Sequence, residues 1–522
     1  MAPISRLHTT AFIHPNLYQD SVALMRVAQR LLALPEVVNA TLQMGNPANK
    51  EILQEAGLLT HAVKDAGPSD IMVVVQAKTR GACQAALAEC KAQIAGQDRA
   101  THKAGAGDGN KSIAPRTVGM GLANLASANI AQISVPGAYA AAEALKAVKQ
   151  GLNVFMFSDN VPLAQEVAIK QEAVKRGVLV MGPDCGTAII GGVPLGFANN
   201  LRRGPIGLVA ASGTGLQEVT TQIHRMGGGI SHAIGTGGRD VYAQVGGATM
   251  LQGIALLQAD ASTRVIAIVA KPPAPEVSVK VMAALAASGK PAVVVFLGSD
   301  LKSPAKHIRV VNTLADCAAE CVRLAKQHAG AKRLAPPFYA IPPKPGFAKS
   351  QKFLRALYSG GTYAAEAQIL WETAGLAVWS NVPVNQAMAL AHPRKQSFGH
   401  TALDLGDDEF TVGRPHPMID QTARVERLLK EAADPTVRAI LLDVVIGWGA
   451  HADPASELAT AIAQAKRIAA KGKRHLAVIG FVCGTELDPQ GLAAQEAKLQ
   501  AAGMVRAGNS ANAAWLAGEW VR

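Results

Sequence analysis

Ile206-Gly-Leu-Val-Ala-Ala-Ser212-Gly-Thr-Gly215 is a short apolar run that breaks into a Ser-Gly-Thr-Gly turn and then into a helical pattern. The same grammar returns 147 positions later in Leu354-Arg-Ala-Leu-Tyr-Ser359-Gly-Gly-Thr362. Two further landmarks repeat in the same order. Asp260-Ala-Ser-Thr-Arg264 precedes the apolar run Val265–Ala270, as Asp434-Pro-Thr-Val-Arg438 precedes Ala439–Val445, and Gly289-Lys290 corresponds to Gly472-Lys473. Three ordered pairs, with offsets rising from 147 to 174 to 183, mark two copies of one flavodoxin-like unit whose second copy carries insertions. The proline-rich stretch Pro336 to Pro345 reads as an extended spacer between them.

Upstream, the apolar runs Ile130–Val135, Leu152–Phe157 and Val178–Met181 alternate with helical patterns over Ala138–Gln150 and Val161–Arg176. Short continuous apolar runs separated by long helices require a parallel sheet covered on both faces, so this part is Rossmann-like. Before it, Thr9 to Gly96 reads as strand, helix, strand, helix, strand, helix, with Asp20 as an N-cap and Asn46-Pro47 marking a helix start. Gly96 to Pro115 has no apolar periodicity and reads as a linker. The expected class is therefore α/β: an N-terminal α/β module (1–100), a Rossmann-like domain (116–203), and two flavodoxin-like domains (204–333 and 346–522).

The totals agree with this reading. A chain of 522 residues with 49% hydrophobic and 17% charged residues, and 50 glycines, suits several close-packed α/β cores. The excess of 13 positive charges is spread along the chain and does not gather into basic runs with aromatics, so nucleic acid is not expected as a partner. Six scattered cysteines without metal-type spacing imply a reducing compartment and no metal site, and no apolar run reaches membrane length, so a cytoplasmic location is expected. Gly119-Met-Gly121 lacks the rest of a dinucleotide fingerprint, and no cofactor is expected.

A glycine-rich strand-to-helix turn exposes unpaired N–H groups at the positive end of the helix dipole. Ser212, Gly213, Thr214, Gly215 and Ser359, Gly360, Gly361, Thr362 are thus candidate anion seats, the alternative for each being a simple capped turn. Gly182-Pro-Asp184-Cys185-Gly follows the last Rossmann-like strand, at the end of the sheet where ligands bind. Cys185 has two readings there, an activated thiol or a small buried residue. Arg414 and His416 lie in a Gly- and Pro-punctuated loop with Asp407 and Asp408 and are the candidates for direct ligand contact; Arg239 occupies a comparable place in the first repeat. For both arginines the alternative is an ordinary ion pair. His451 either faces the same cleft or lies in solvent.

Gly182-Pro-Asp-Cys-Gly resembles a turn of the succinyl-CoA synthetase α subunit, which implies that the Rossmann-like domain (116–203) is of the CoA-binding type, and Ser212-Gly-Thr is similar to the start of that family's phosphate-facing helix. Tyr358 to Glu486 resembles the carboxyl-terminal domain of its β subunit. Nearly the whole chain resembles the FdrA family, through Tyr18-Gln-Asp-Ser21, Met44-Gly-Asn-Pro-Ala-Asn-Lys50, Gly182–Thr187, Tyr358–Thr362, the long run Asp404–Asp420 and Leu442–Val445. This resemblance implies a subunit of oxamate carbamoyltransferase in anaerobic allantoin breakdown. Its ligands would be carbamoyl phosphate and oxamate or oxalurate, and separately encoded subunits would be its partners. Unlike the synthetase α subunit, whose catalytic histidine becomes phosphorylated, the corresponding stretch Lys271–Asp300 has no histidine. Phosphohistidine chemistry is therefore not expected, whereas carbamoyl transfer needs only anion seats and a positioned amine.

Overall fold

The structure is a computed structural model that describes residues 7–17, 19, 21–103, 115, 117–329, 343–411 and 414–521. It falls into two compact units, one of residues 1–127 with 412–415 and one of residues 128–411 with 416–522. The Asp20 cap expected from sequence lies outside the described residues.

In the first unit, β1 (His8–His14), α1 (Ser21–Leu32), β2 (Val37–Met44), α2 (Pro47–Glu55), β3 (Ile71–Ala77) and α3 (Arg80–Lys103) are followed by α4 (Val118–Asn124). The antiparallel sheet has the order β1-β3-β2. β3 is central because Ile71-Met-Val-Val-Val is buried on both faces. Asn46 accepts from the Asn49 amide at 2.9 Å and starts α2 as the sequence implies. α3 continues to Lys103, beyond the point where the linker was expected to begin.

The second unit opens with β4 (Ile130–Ile133), α5 (Gly137–Lys149), β5 (Asn153–Met156), α6 (Leu163–Arg176) and β6 (Val180–Met181), a three-stranded parallel sheet. Next come β7 (Thr187–Ile190), β8 (Val193–Gly196), β9 (Arg203–Ala210), α7 (Gly213–Arg225), β10 (Ile230–Gly235), α8 (Ala248–Ala259), β11 (Val265–Ala270), α9 (Pro275–Ser288), β12 (Ala292–Phe296), β13 (Ile308–Val310) and α10 (Leu314–Ala329). The last stretch holds β14 (Phe353–Tyr358), α11 (Gly361–Thr373), β15 (Val378–Trp379), β16 (His400–Asp404), α12 (Asp408–Thr411), α13 (Thr422–Ala433), β17 (Val437–Val445), α14 (Pro454–Lys471), β18 (Ala477–Cys483), α15 (Leu492–Ala501), β19 (Val505–Arg506) and α16 (Ser510–Val521).

The two larger sheets run β13-β12-β11-β9-β10-β7-β8 and β15-β16-β14-β17-β18-β19. With β9 matched to β14, the strands β10, β9, β11, β12, β13 and β16, β14, β17, β18, β19 occupy the same order, which is the flavodoxin-like 2-1-3-4-5 arrangement. The hairpin β7–β8 extends the first sheet antiparallel, and β15 is an added edge strand in the second. The paired landmarks do the same local work in each copy. Asp260 and Asp434 each accept the amide two residues on, Ser262 at 3.0 Å and Thr436 at 2.8 Å, closing an Asx turn before the central strand. Lys290 reaches the carbonyls of Leu257, Asp260 and Thr263; in the second copy it is Arg474, one residue past the expected Lys473, that reaches Ala432 and Asp434.

Candidate functional site

β9 and β14 each run, fully buried at their carboxyl ends, into the turns singled out from sequence, and the helices that follow begin head to head. Ser212 caps α7 by accepting from the Gly215 amide at 2.9 Å. Its Oγ also shares a hydrogen bond of 2.5 Å with Thr362 Oγ1, in the first turn of α11. Gly360 comes so close to the facing turn that a Cβ there would lie 2.3 Å from Thr214 Cγ2. The two helix N-termini therefore meet at one place. Thr214, Ser359, Gly360 and Thr362 are buried at the contact, while Ser212, Gly213 and Gly361 retain access to solvent. The first-turn amides of both helices, other than that of Gly215, have no intrahelical acceptor, and both dipoles are positive here.

Ser359 is committed elsewhere. Its amide donates to Asp443 Oδ1 at 2.9 Å and its hydroxyl to Asp443 Oδ2, and Asp443 is also held by the buried Arg424. This carboxylate fixes the shape of the second turn.

The Gly182–Thr187 turn lies against the first one, because Thr187 Oγ1 is 3.5 Å from where a Cβ on Gly213 would stand. Thr187 donates to the Phe197 carbonyl at 2.7 Å. Asp184 has a left-handed φ of 55°. Asp184 is exposed, and the packing around its carboxyl together with the neighbouring carboxylates of Asp159 and Asp408 pushes its pKa up to about 7 against the opposing pull of Arg239. Cys185 is buried against Gly235 and donates to Thr187 O at 3.5 Å; burial pushes the thiol up to about 12. Of its two readings, the small buried residue fits.

Arg239 is anchored beside α6. Its guanidinium bonds the Val161 carbonyl at 2.7 Å and the Glu166 carboxylate at 2.9 Å. Glu166 in turn pairs with Lys170 at 3.0 Å, and Lys170 with Asp240 at 2.8 Å, all three of them buried. This charge cluster joins α6 to the turn after β10, and Asp240 goes on to accept the Thr249 and Met250 amides at the start of α8.

His416 lies half-buried beside the second turn, its ring 5.7 Å from that of Phe197. Nδ1 accepts the Met418 amide at 3.2 Å, which leaves the proton on Nε2, the nitrogen that lies 2.5 Å from the position of a Cβ on Gly406. Burial, aided by Arg424, lowers its pKa to about 4, so at neutral pH it is a hydrogen-bond donor without charge. Asp407 accepts the Glu409 amide at 3.1 Å and caps α12. Arg414 is exposed and groups with the first unit. His451 pairs with Glu457 at 3.2 Å.

Sequence reading missed two groups at the helix junction. Lys271, directly after β11, and Asp404, the last residue of β16, both converge on Gly361: a Cβ there would lie 3.1 Å from Lys271 Nζ and 2.8 Å from Asp404 Oδ2. Asp404 is buried, and its Oδ1 accepts the Gly406 amide at 2.9 Å. Burial pushes its pKa up to about 7, against the opposing pull of the Gly406 amide and Lys271. The available signal was positional, since each polar residue ends an apolar strand of a parallel sheet.

Comparison with known proteins places these elements. Residues 357–519 match the CoA-ligase family model, and residues 202–298 match the CoA binding domain. That second match lies on the seven-stranded sheet, C-terminal to the 116–203 stretch for which a CoA-binding type was expected. Residues 7–112 match a model described as AllF, heavy metal-associated domain. Its two cysteines, Cys83 and Cys90, are buried on α3, and among the described residues no group of three or more His, Cys, Asp or Glu side chains is placed to hold a metal ion. Among the described residues of this stretch the donor set does not fit a metal. The chain is 39% identical over 513 residues to the Uncharacterized protein YahF of Escherichia coli, covering 98% of both chains. It is 26% identical over 149 residues to the ADP-forming sulfoacetate-CoA ligase subunit SauD of Bilophila wadsworthia, covering 27% of this chain and 50% of that protein. It is 31% identical over 124 residues to the succinate–CoA ligase subunit alpha of Aquifex aeolicus, covering 22% and 40%. Among the described residues no helix is long and apolar enough to cross a membrane.

Proposed function

The chain belongs to the FdrA family of succinyl-CoA-synthetase-like proteins, and from that premise we propose that it is a subunit of oxamate carbamoyltransferase. It would move a carbamoyl group between carbamoyl phosphate and oxamate, with oxalurate as the other partner, in the cytoplasm and together with separately encoded subunits. The observation that carries this reading is the junction of α7 and α11 at Ser212 and Thr362. Two converging helix N-termini favour a multiply charged anion such as a phosphate monoester. The missing histidine in Lys271–Asp300 leaves no carrier for a phosphorylated intermediate, whereas carbamoyl transfer is a direct displacement. Gly213, Thr214, Gly360, Gly361 and Thr362 then offer backbone amides to the ligand, Ser212, Gly215, Ser359, Gly182, Asp184 and Cys185 hold the shape of the turns around it, and Arg414, His416, Asp407 and Arg239 carry over from the sequence as further contact candidates.

Thermal denaturation tests it. Carbamoyl phosphate or oxamate, with the partner subunits present, raises the melting temperature. No shift with either ligand removes the proposal. A second reading, acyl-CoA ligation, is favoured by the CoA-ligase and CoA binding matches. Calorimetry separates the two, since saturable CoA binding with no response to carbamoyl phosphate selects ligation.

A further inference from the structure

We propose that Lys271 and Asp404 are the substrate-touching groups of the helix junction: Lys271 holds a phosphate oxygen, and Asp404 takes the proton from the attacking nitrogen. The inference deepens the carbamoyl-transfer reading and rests on it for the chemical step, though not for anion binding.

Three strand ends meet here. Lys271 follows β11, Gly361 follows β14 by three residues, and Asp404 ends β16, all on the carboxyl side of parallel strands. Gly361 has no side chain, and the space a Cβ would fill is bounded by the ammonium on one side and the carboxyl on the other. Asp404 is 8% exposed, its Oδ1 is taken by the Gly406 amide, and its Oδ2 points at the start of α11. A buried carboxyl oxygen aimed at a helix N-terminus, beside an exposed lysine and the Ser212–Thr362 hydroxyl pair, gives one place both anion donors and a proton acceptor.

In the step proposed, the nitrogen of the acceptor amide attacks the carbamoyl carbon. The new C–N bond forms as the C–O bond to phosphate breaks, and that electron pair leaves on phosphate. The N–H proton passes to Asp404 and then to the departing phosphate, so no outside reagent is consumed. Lys271 and the helix amides take up the charge that grows on the leaving oxygen. The groups facing Asp404 are Lys271 from the first repeat, Asp407 from its own loop and Asp443 from β17, with His416 across Gly406. A buried carboxyl that exchanges its proton near neutrality is matched to this task.

Sulfate is the first probe, because its charge is constant between pH 6 and 8. Calorimetry on the full chain is expected to show binding that weakens several-fold from pH 6 to pH 8 as Asp404 ionises. Lys271→Ala should weaken binding about tenfold or more at either pH, with Lys271→Arg restoring most of it, and Asp404→Asn should bind with a clearly smaller pH dependence than the native chain, the remainder belonging to Asp184. Absence of sulfate binding to the native chain, wild-type binding by Lys271→Ala, or a pH dependence in Asp404→Asn equal to that of the native chain each overturns the assignment. In the assembled transferase, Asp404→Asn should lower kcat by about 10²- to 10⁴-fold at an unchanged KM for carbamoyl phosphate. If the native assembly transfers no carbamoyl group, the functional reading falls while the sulfate results still decide the anion site.

Discussion

Ser212 and Thr362, 150 positions apart, share a 2.5 Å hydrogen bond between their hydroxyls. One hydroxyl comes from each copy of the repeated unit, so the bond fastens the two helix starts together at the point where their dipoles add.

That bond predicts coupling. Ser212→Ala loses both the N-cap and the cross-turn contact and should cost about 1–2 kcal/mol, and Thr362→Val about 1 kcal/mol. Urea unfolding of the two single variants and the double variant should give a coupling near 1 kcal/mol. Strictly additive losses would mean the contact carries no energy of its own.

Gly360 is required by packing and not by its backbone, whose φ of −165° suits any residue. Gly360→Ala places a methyl group 2.3 Å from Thr214 Cγ2 and should destabilise by about 1–3 kcal/mol. Adding Thr214→Ala should recover part of that loss in the same assay; if it recovers nothing, the clash lies elsewhere.

Glu218 and Glu366 stand at equal distances into α7 and α11, both buried, and burial together with their mutual repulsion pushes Glu218 up to about 7. Burial likewise raises Glu366 to about 7. A carboxyl whose pKa is raised on folding stabilises most below its unfolded value near 4.5, and that stability is lost as pH climbs from there through 7. Glu218→Gln should therefore gain on the order of 1–3 kcal/mol over the native chain at pH 8, and nothing at pH 4. The Ser510 and Gln222 contacts both fall on one Glu218 oxygen, so the amide can keep them. Chemical denaturation across pH 4–8 measures the difference, and parallel curves for the two proteins would refute it.

Cys185 should be inert to alkylation in the folded chain. Its thiol is buried and held protonated, so iodoacetamide at pH 8 should label it only after unfolding. Mass spectrometry locates the label, and rapid native modification would mean the turn opens.

Much of the fold was legible because it is written in period and repetition. β11, Val265 to Ala270, is buried at every position, and an unbroken apolar run of that length between helices has no other stable place than a covered parallel sheet. The Asp260 and Asp434 turns were legible for a similar reason, since an Asx turn is a contact within three residues. Arg239 had two readings from its place in the repeat, a charge facing the ligand or an ordinary ion pair, and the partners it takes, Val161 and Glu166, lie more than 70 positions away, just before and within α6. No local pattern records such a contact.

The sequence by itself determined the α/β class, the duplication and the two glycine turns, because strand period, helix capping and turn chemistry are properties of neighbouring residues. Only the tertiary structure decided that the turns touch, that Cys185 is a buried thiol, and that Lys271 and Asp404 stand on either side of Gly361. Those facts depend on how two sheets bring distant strand ends to one point, and on the burial that results, which shifts a carboxyl or a thiol by whole pH units while leaving no trace in the residues beside it.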